Sequence, residues 1–381
     1  MLVPRKPSAT TLHEHVHEHP LKRLLQRLLQ HLLQHLPKMS VVAASGWLAA
    51  SLGAAAAASA QGPAALPGYG ADPDRTTVSG LSSGAFMAVQ LQVAFSKSIA
   101  GAGVVAGGPY YCAAGAKTGY TGICMGQVPF MPPNPSLMVG AAKGFAATRR
   151  IDKLANLAQR RIYVFSGTDD SIVRQQAVDA TVSFFQRLGV PAGGLKYVNT
   201  LPAGHAVITP AFGNDCAANA APYISHCTLS GQGYDQAGEL LQHLYGNLQT
   251  RVATPTGELV PFDQRPFAPA TTTGMATTGF VYVPTTCTGA GAHCKVHVAL
   301  HGCSQSQTAV GDAFTREAGY NHWADSNGLL VLYPQVDKSD EPYNPYGCWD
   351  WWGYTGTNYA DRSALQMKAI KAMVARLVKQ P

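Results

Sequence analysis

Short apolar runs of strand length alternate along this chain with longer runs of helical periodicity. Several of the short runs are rich in Val, Ile, Tyr and Phe and are apolar throughout, which is typical of strands buried on both faces. The strand-like runs are 75–80, 101–108, 160–167, 195–201, 279–284, 295–302 and 329–335. The helical patterns are 84–98, 173–188, 236–248, 313–328 and 361–379. This alternation predicts an α/β fold, with a mainly parallel sheet covered by helices on both faces.

The first 60 residues follow a different pattern. Leucines between 21 and 36 form an amphipathic helical stripe, and an Ala/Gly-rich apolar run from Met39 ends in Ala58-Ser59-Ala60. Small residues at these positions are typical of signal-peptide cleavage, here before Gln61, and the Ser and Gly interruptions argue against a lasting membrane span. The sequence therefore predicts a leader over 1–60, comprising an upstream extension and a signal peptide, and a secreted or periplasmic mature chain. A metal-binding role for the HEHVHEH run at 13–19 is not expected, since it precedes the cleavage site.

The remaining chain, 61–381, reads as one catalytic domain. The Thr-rich stretch at 268–279 resembles a linker, but the elements on either side are too few to build separate sheets. A hydrophobic fraction of 46% with 13% charged residues favours a large core over disorder. The net charge of the whole chain is +7. The leader contains six Lys/Arg and two Asp/Glu residues, so the rest of the chain contains 22 Lys/Arg and 19 Asp/Glu residues. A balance this close to neutral indicates no nucleic-acid partner.

All eight cysteines follow residue 60. An even count in an exported chain predicts disulfides, although eight cysteines allow 105 pairings. Proximity along the chain suggests Cys112–Cys124, Cys216–Cys227, Cys287–Cys294 and, by remainder, Cys303–Cys348. The alternative, a zinc site, is disfavoured because the chain has no CxxC pair, and we expect no metal.

The best nucleophile candidate is Ser82. It occupies the centre of Gly80-Leu81-Ser82-Ser83-Gly84, a G-x-S-x-G motif between a short strand and an amphipathic helix. The turn between these elements is tight, so the flanking residues must lack bulk, and the serine comes at the helix N-terminus where negative charge is favoured. The N–H of Ser83 would be one oxyanion donor.

An acid and a base follow in the chain order Ser…Asp…His that is typical of serine hydrolases. Asp170 comes after the strand-like run 160–167, and we favour it over Asp169, which would cap a helix or be solvated. His205 lies in a Gly-flanked loop after the strand-like run 195–201. His205 would take the proton of Ser82, and Asp170 would hold the imidazole.

A His-Gly turn, His301-Gly302-Cys303, follows the buried run ending in "VHVAL". In serine hydrolases of the α/β type such a turn supplies an oxyanion N–H, here that of Cys303, but it normally precedes the nucleophile. Joining the end of the last helix to about Asp72 would restore the usual order, so we predict a circular permutation. The alternative is an ordinary strand and turn without function.

Aromatic residues crowd the stretch "YGCWDWWGY" at 346–354. We expect one or two of its tryptophans to be buried and one to face the substrate. Trp351 and Trp352 are the main candidates, with Trp349 beside them and Tyr110 as a further groove residue. The other interpretation is that this stretch packs into the core and is fixed there through Cys348.

Taken together, these segments resemble the poly(3-hydroxybutyrate) depolymerase family, in particular its circularly permuted exported members. The matching segments are "VSGLSSGAFMAVQL", "GVVAGGPYYC", "SGTDDSIV", "AGHAVITP", "TGFVYVP", "HVALHGCSQ" and "YGCWDWWGYTG". The resemblance implies an α/β-hydrolase fold, a Ser82–Asp170–His205 triad without cofactor, oxyanion N–H groups from Ser83 and Cys303, and cleavage of short-side-chain polyhydroxyalkanoate esters. Many secreted relatives add a polymer-adsorbing domain, and this chain ends after its last predicted helix, so tight adsorption to crystalline polymer is not implied.

Two other functions remain open at this stage. One is a carbohydrate esterase of feruloyl or acetyl type, which would need more polar groups to hold a glycan. The other is a catalytically inactive polymer- or granule-binding protein, against which the intact Ser/Asp/His set argues. The expected partner is a polyester or oligoester substrate, and the sequence indicates no oligomeric state.

Overall fold

The computed structural model describes residues 62–115, 119, 121–289 and 291–381. The predicted leader, with its cleavage site and its His-rich run, lies outside the described residues. None of the helices within these ranges is both long enough and apolar enough to cross a membrane.

Twelve strands and ten α-helices make up the described part of the chain. The strands are β1 (Thr76–Leu81), β2 (Ile99–Val105), β3 (Arg161–Phe165), β4 (Leu195–Val198), β5 (Val207–Thr209), β6 (Ile224–His226), β7 (Thr228–Leu229), β8 (Gln232–Gly233), β9 (Glu258–Asp263), β10 (Thr278–Val283), β11 (Lys295–Leu300) and β12 (Leu329–Tyr333). The helices are α1 (Ser83–Ala94), α2 (Thr121–Cys124), α3 (Pro135–Ala147), α4 (Gln175–Arg187), α5 (Gln236–Tyr245), α6 (Ala270–Thr273), α7 (Gln307–Val310), α8 (Ala313–Glu317), α9 (Tyr320–Asn327) and α10 (Leu365–Val378).

Eight of these strands form one sheet, in the order β4-β3-β2-β1-β11-β12-β10-β9. The six strands from β4 to β12 in that order run parallel, and β10 pairs antiparallel with both of its neighbours, β12 and β9. The centre of the sheet, β1 with its neighbours β2 and β11, is buried on both faces, which explains why β2 is apolar and why β1 and β11 carry few exposed polar side chains. This confirms the predicted fold class.

Besides several short elements of two to four residues, a longer strand and a longer helix had no counterpart in the sequence pattern. The edge strand β9 carries Pro261 and is partly exposed, so its pattern is weak. Helix α3 is rich in Gly and Ala, but its start does carry a signal: the Asn134 side chain accepts the N–H of Ser136 at 3.0 Å, and Pro135 follows the cap. The helix expected at 313–328 is two helices, because Gly319 between them adopts φ +89°.

The end of α10 packs against the segment that leads into β1. The N–H of Tyr69 donates to the carbonyl of Leu377 at 3.0 Å, and that of Gly70 donates to the carbonyl of Lys379 at 2.9 Å. These contacts are compatible with the proposed circular permutation, which stays a prediction.

Candidate active site

The turn at Ser82 is strained in the way its motif requires. Ser82 has φ 55° and ψ −119°, a conformation that L-residues rarely adopt, and its N–H donates to the carbonyl of Val105 at 2.9 Å. A Cβ on Gly84 would overlap the carbonyl oxygens of Leu300 and His301. Glycine at 84 therefore lets the start of α1 lie directly against the end of β11.

Asp170 and His205 form a buried pair. The Nδ1 of His205 lies 2.8 Å from Oδ2 of Asp170, and the two residues are each 3% exposed. The other oxygen of Asp170, Oδ1, accepts the N–H groups of Ile172 and Val173, both at 2.8 Å. These two bonds fix the carboxylate and leave Oδ2 facing the imidazole. Asp169 is exposed, as expected for a solvated neighbour.

Asn219 bridges the loops that carry this pair. Its Oδ1 accepts the N–H of His205 and the N–H of Ser171, each at 2.9 Å, while its Nδ2 donates to the carbonyl of Asp169 at 3.0 Å. Sequence patterns gave no indication of this role, because Asn219 lies in an irregular Gly/Pro/Asn-rich stretch. The Cys216–Cys227 disulfide encloses that stretch.

The His-Gly turn after β11 is held by buried polar groups. Nε2 of His301 accepts the N–H of Val336 at 3.1 Å, so the ring is neutral with its proton on Nδ1. Burial lowers the pKa of His301 to about 4. The N–H of Gly302 donates to Oε1 of Gln305 at 2.7 Å. His301 therefore shapes the turn as a neutral side chain.

Gln305 also connects this turn to the segment beside His205. Its Nε2 donates to the carbonyls of Pro222 and Tyr223 at 2.9 and 3.0 Å. The ring of Tyr223 in turn lies edge-on to that of His205, with centroids 6.1 Å apart.

Three segments of the site follow parallel strands of one sheet. The turn at Ser82, which we call the elbow, follows β1, the loop with Asp170 follows β3, and the His-Gly turn follows β11. All three therefore lie at the C-terminal edge of the sheet.

The aromatic stretch after the His-Gly turn divides between core and surface. Trp349 is fully buried, with its ring centroid 5.6 Å from that of His301, and Trp351 is 5% exposed and stacks on Phe86 at 4.2 Å. Trp352 is half-buried and meets Trp351 edge-on at 5.3 Å. Two tryptophans are thus interior and one reaches the surface.

Tyr110 belongs to the interior, contrary to our expectation that it lines a groove. It is 1% exposed, its ring packs near Phe145 and Phe184, and its hydroxyl donates to the carbonyl of Ala360 at 2.7 Å. The apolar run "GVVAGGPYYC" that carries it gives no sign of which of its two tyrosines is buried.

Four disulfides are present, at the pairs that proximity along the chain suggested. Cys303–Cys348 spans 45 residues and ties the His-Gly turn to the aromatic stretch. The N–H of Trp349 also donates to Oγ of Ser83 at 3.3 Å, so the aromatic stretch contacts the elbow as well. Within the described ranges, no group of three or more His, Cys, Asp or Glu side chains could hold a metal ion.

The sheet, the strained serine elbow and the buried Asp–His pair define an α/β-hydrolase. A family model described as Esterase PHB depolymerase matches residues 280–379. The chain is 46% identical over 316 residues to the poly(3-hydroxybutyrate) depolymerase of Delftia acidovorans, covering 82% of this chain and 61% of that relative. It is 37% identical over 348 residues to the polyhydroxybutyrate depolymerase of Talaromyces funiculosus, covering 87% of this chain and 96% of the relative. The chain belongs to the polyhydroxybutyrate depolymerase family.

Solved structures agree with this assignment. The crystal structure of the PHB depolymerase from Penicillium funiculosum matches with a TM-score of 0.74 at 36% identity, covering 82% of this chain and 98% of that one. A Ser→Ala variant of PHB depolymerase in complex with an R3HB trimer also matches with a TM-score of 0.74, at 35% identity and the same coverage.

Proposed function

We propose that this chain is an exported serine esterase that hydrolyses the ester bonds of poly(3-hydroxybutyrate) and related short-chain polyhydroxyalkanoates through an acyl-enzyme. The observation that carries this proposal is the His205–Asp170 contact at 2.8 Å, at the sheet edge where the strained Ser82 elbow meets the His-Gly turn. Family membership supplies the substrate class, since the relatives are named for this polymer.

The reaction begins with proton transfer from Ser82 Oγ to Nε2 of His205 as Oγ attacks the ester carbonyl. Asp170 accepts the Nδ1 proton, which selects the tautomer that leaves Nε2 free and stabilises the imidazolium that forms. The protonated His205 then gives its proton to the departing alcohol. Water, activated by the same imidazole, resolves the acyl-enzyme and releases the hydroxy acid.

The N–H groups of Ser83 and Cys303 are the proposed oxyanion donors. Ser83 is the first residue of α1, so its N–H has no acceptor within the helix. Each donor of this kind typically stabilises the transition state by about 3–4 kcal/mol. The contact of Gly84 with Leu300 and His301 supports a fixed spacing between the two donors.

The half-buried Trp352, backed by Trp351 on Phe86, is the proposed apolar wall for the polyester repeat. Trp349 lies behind this wall as a packing residue. A carbohydrate esterase would need polar groups at this wall, and an inactive binding protein would not need the Asp170–His205 pair.

Export of residues 61–381 as one catalytic domain is part of the proposal. Four disulfides persist in an oxidising compartment and are rare in the cytosol. Eight of the twelve described strands, from both halves of the body, share one sheet, which supports a single domain.

The test replaces Ser82 with alanine in the mature chain. We expect Ser82→Ala to lose at least about 10⁴-fold in kcat/KM on the 3-hydroxybutyrate trimer and to lose labelling by a serine-directed phosphonate. Ser83→Ala is the matched control, because it keeps the backbone N–H and should still be labelled. Clearing of suspended poly(3-hydroxybutyrate) is compared with hydrolysis of feruloyl and acetyl sugar esters.

The outcomes separate the three functions. Faster hydrolysis of the sugar esters than of the polymer would favour the carbohydrate esterase. Absence of labelling in the unaltered chain would favour the inactive binding protein.

A further inference from the structure

Asp350 is a buried carboxylate with no cationic partner among the described residues. It is 1% exposed, and ion pairs in the described part of the chain do not include it. Isolated buried charges are costly, so a carboxylate in this position must be compensated by hydrogen bonds. Desolvation raises the pKa of Asp350, and those hydrogen bonds oppose the rise.

The compensating donors all come from the five residues that follow. Oδ1 accepts the N–H groups of Trp352, Gly353 and Tyr354 at 3.3, 2.7 and 3.1 Å. Oδ2 accepts the N–H of Thr355 at 2.9 Å and its hydroxyl at 2.6 Å. Gly353 adopts φ +93°, which lets the chain curl around the carboxylate. The side chain therefore determines the shape of the turn 351–355, which we call the aromatic turn.

The backbone of Asp350 is fixed by two buried glutamines. Its carbonyl accepts Nε2 of Gln90 at 3.0 Å, and its N–H donates to Oε1 of Gln366 at 2.8 Å. Gln90 lies on α1, two turns after the elbow, and Gln366 lies on α10. The residue that precedes the aromatic turn is thus hydrogen-bonded to α1, the helix that begins beside Ser82.

The aromatic turn carries two tryptophans, one of which packs on the helix that follows the elbow. Trp351 stacks on Phe86 of α1 with an interplanar angle of 16°, and Trp352 packs edge-on against Trp351. If the carboxylate were lost, four backbone N–H groups would need new acceptors and the turn would relax. The position of Trp352 would then vary, whereas the elbow and the Asp170–His205 pair, which Asp350 does not contact, would keep their geometry.

We propose that Asp350 is a positioning residue for substrate binding, whose buried carboxylate holds the aromatic turn so that Trp352 meets the polyester chain in a fixed orientation. The inference rests on the proposed function, since it takes the ester substrate from it. Preorganising an apolar wall in this way lowers the entropy cost of binding a flexible chain. The residue acts on substrate affinity and contacts no reacting atom.

The test compares two substrates in Asp350→Asn. The amide keeps the size of the side chain but presents an NH₂ group to the N–H of Thr355, which loses its acceptor. We expect KM for the 3-hydroxybutyrate trimer to rise at least about fivefold, while kcat/KM for p-nitrophenyl acetate, which is too small to span the aromatic turn, stays within about twofold. The tryptophan emission should shift to the red as Trp351 or Trp352 becomes more hydrated.

Thr355→Val is the milder companion variant, because it removes only the hydroxyl donor to Oδ2. It should raise KM for the trimer about twofold while kcat/KM for p-nitrophenyl acetate again stays unchanged. If Asp350→Asn does not fold, Thr355→Val is the variant that tests the inference. Equal losses on both esters, or unchanged KM and unchanged emission, would overturn the inference. Failure of the unaltered chain to cleave the trimer would instead refute the proposed function.

Discussion

Two buried histidines on β11 and in the turn that follows it must stay neutral in the folded protein. Nδ1 of His297 lies 2.7 Å from the hydroxyl of Thr77, and its Nε2 lies 2.7 Å from that of Ser79, both on the nucleophile strand. Burial lowers the pKa of His297 to about 3 and that of His301 to about 4. Both rings help to hold β1 and the His-Gly turn, and both titrate near 6.5 once the chain unfolds.

These shifts predict a loss of stability on mild acidification. The two histidines bind protons in the unfolded chain at a pH where they stay neutral in the folded chain. Their contribution to the free energy of unfolding is therefore complete above pH 6.5 and decreases as the pH falls toward 4, with uptake of about two protons on unfolding. Urea midpoints measured between pH 7 and 5, above the range where most carboxyl groups titrate, should fall steadily. His301→Gln should be less stable at pH 7 but show a shallower pH dependence. Midpoints that do not change across this range would contradict the prediction.

A motif that fixes both spacing and context makes candidate residues predictable. The G-x-S-x-G motif and the loop after 160–167 led to Ser82 and Asp170, which the structure places in a strained turn and in a buried contact with His205, while their catalytic roles stay predictions. Asn219, Gln305 and Asp350 were not predictable, because their partners lie in other segments of the chain, and a single polar side chain in a loop has no periodic signature. Tyr110 shows the same limit, since its burial depends on packing against Phe145 and Phe184.

At the level of elements, the contact between α10 and the segment before β1 makes the circular permutation testable. A relinked chain would run from Thr254 to Lys379 and continue directly into Gly70–Ala253, since Gly70 and Lys379 are hydrogen-bonded at 2.9 Å. The new ends fall in the exposed loop between α5 and β9. We expect this chain to fold and to keep kcat/KM on soluble esters within about tenfold.

Its melting temperature should be lower than that of the parent. The relinked chain lacks Leu66, which is 2% exposed, and the carbonyl of Ala64 that accepts the N–H of Asp263 at 2.7 Å. Circular dichroism and ester hydrolysis are the measurements. A control opened between Val78 and Ser79, inside β1, should not fold. Equal behaviour of the two chains would count against the permutation.

At the scale of the whole molecule, the described part of the chain exposes an apolar region close to the aromatic turn. Phe130, Met131 and Leu137 are 100%, 53% and 69% exposed, beside a groove of about 400 Å³ lined by Ile123 and Met138 among others. Met138 also packs against the cluster that contains Phe86 and Trp351. Apolar surface thus extends from the aromatic turn to the outside of the molecule, where it suits contact with a solid polyester.

This surface should matter for insoluble polymer and not for soluble ester. The triple variant Phe130→Ser, Met131→Ser, Leu137→Ser should clear suspended polymer at least about fivefold more slowly, because each exposed apolar side chain contributes about 1 kcal/mol or more when buried. Its kcat/KM on the soluble trimer should be unchanged. Leu229→Ser, an exposed leucine on the β7–β8 hairpin, is the control. Equal losses on polymer and trimer would refute the prediction.

The sequence by itself determined the alternation of strands and helices, the elbow around Ser82 and the loops of the candidate acid and base, because each depends on local periodicity or on steric demands within a few residues. The tertiary structure decided how the elements β1 and β11, more than 200 residues apart, become neighbours in register. It also decided which aromatic side chains are interior and which polar residues hold the site loops. Those outcomes depend on contacts between distant segments, which no local pattern encodes.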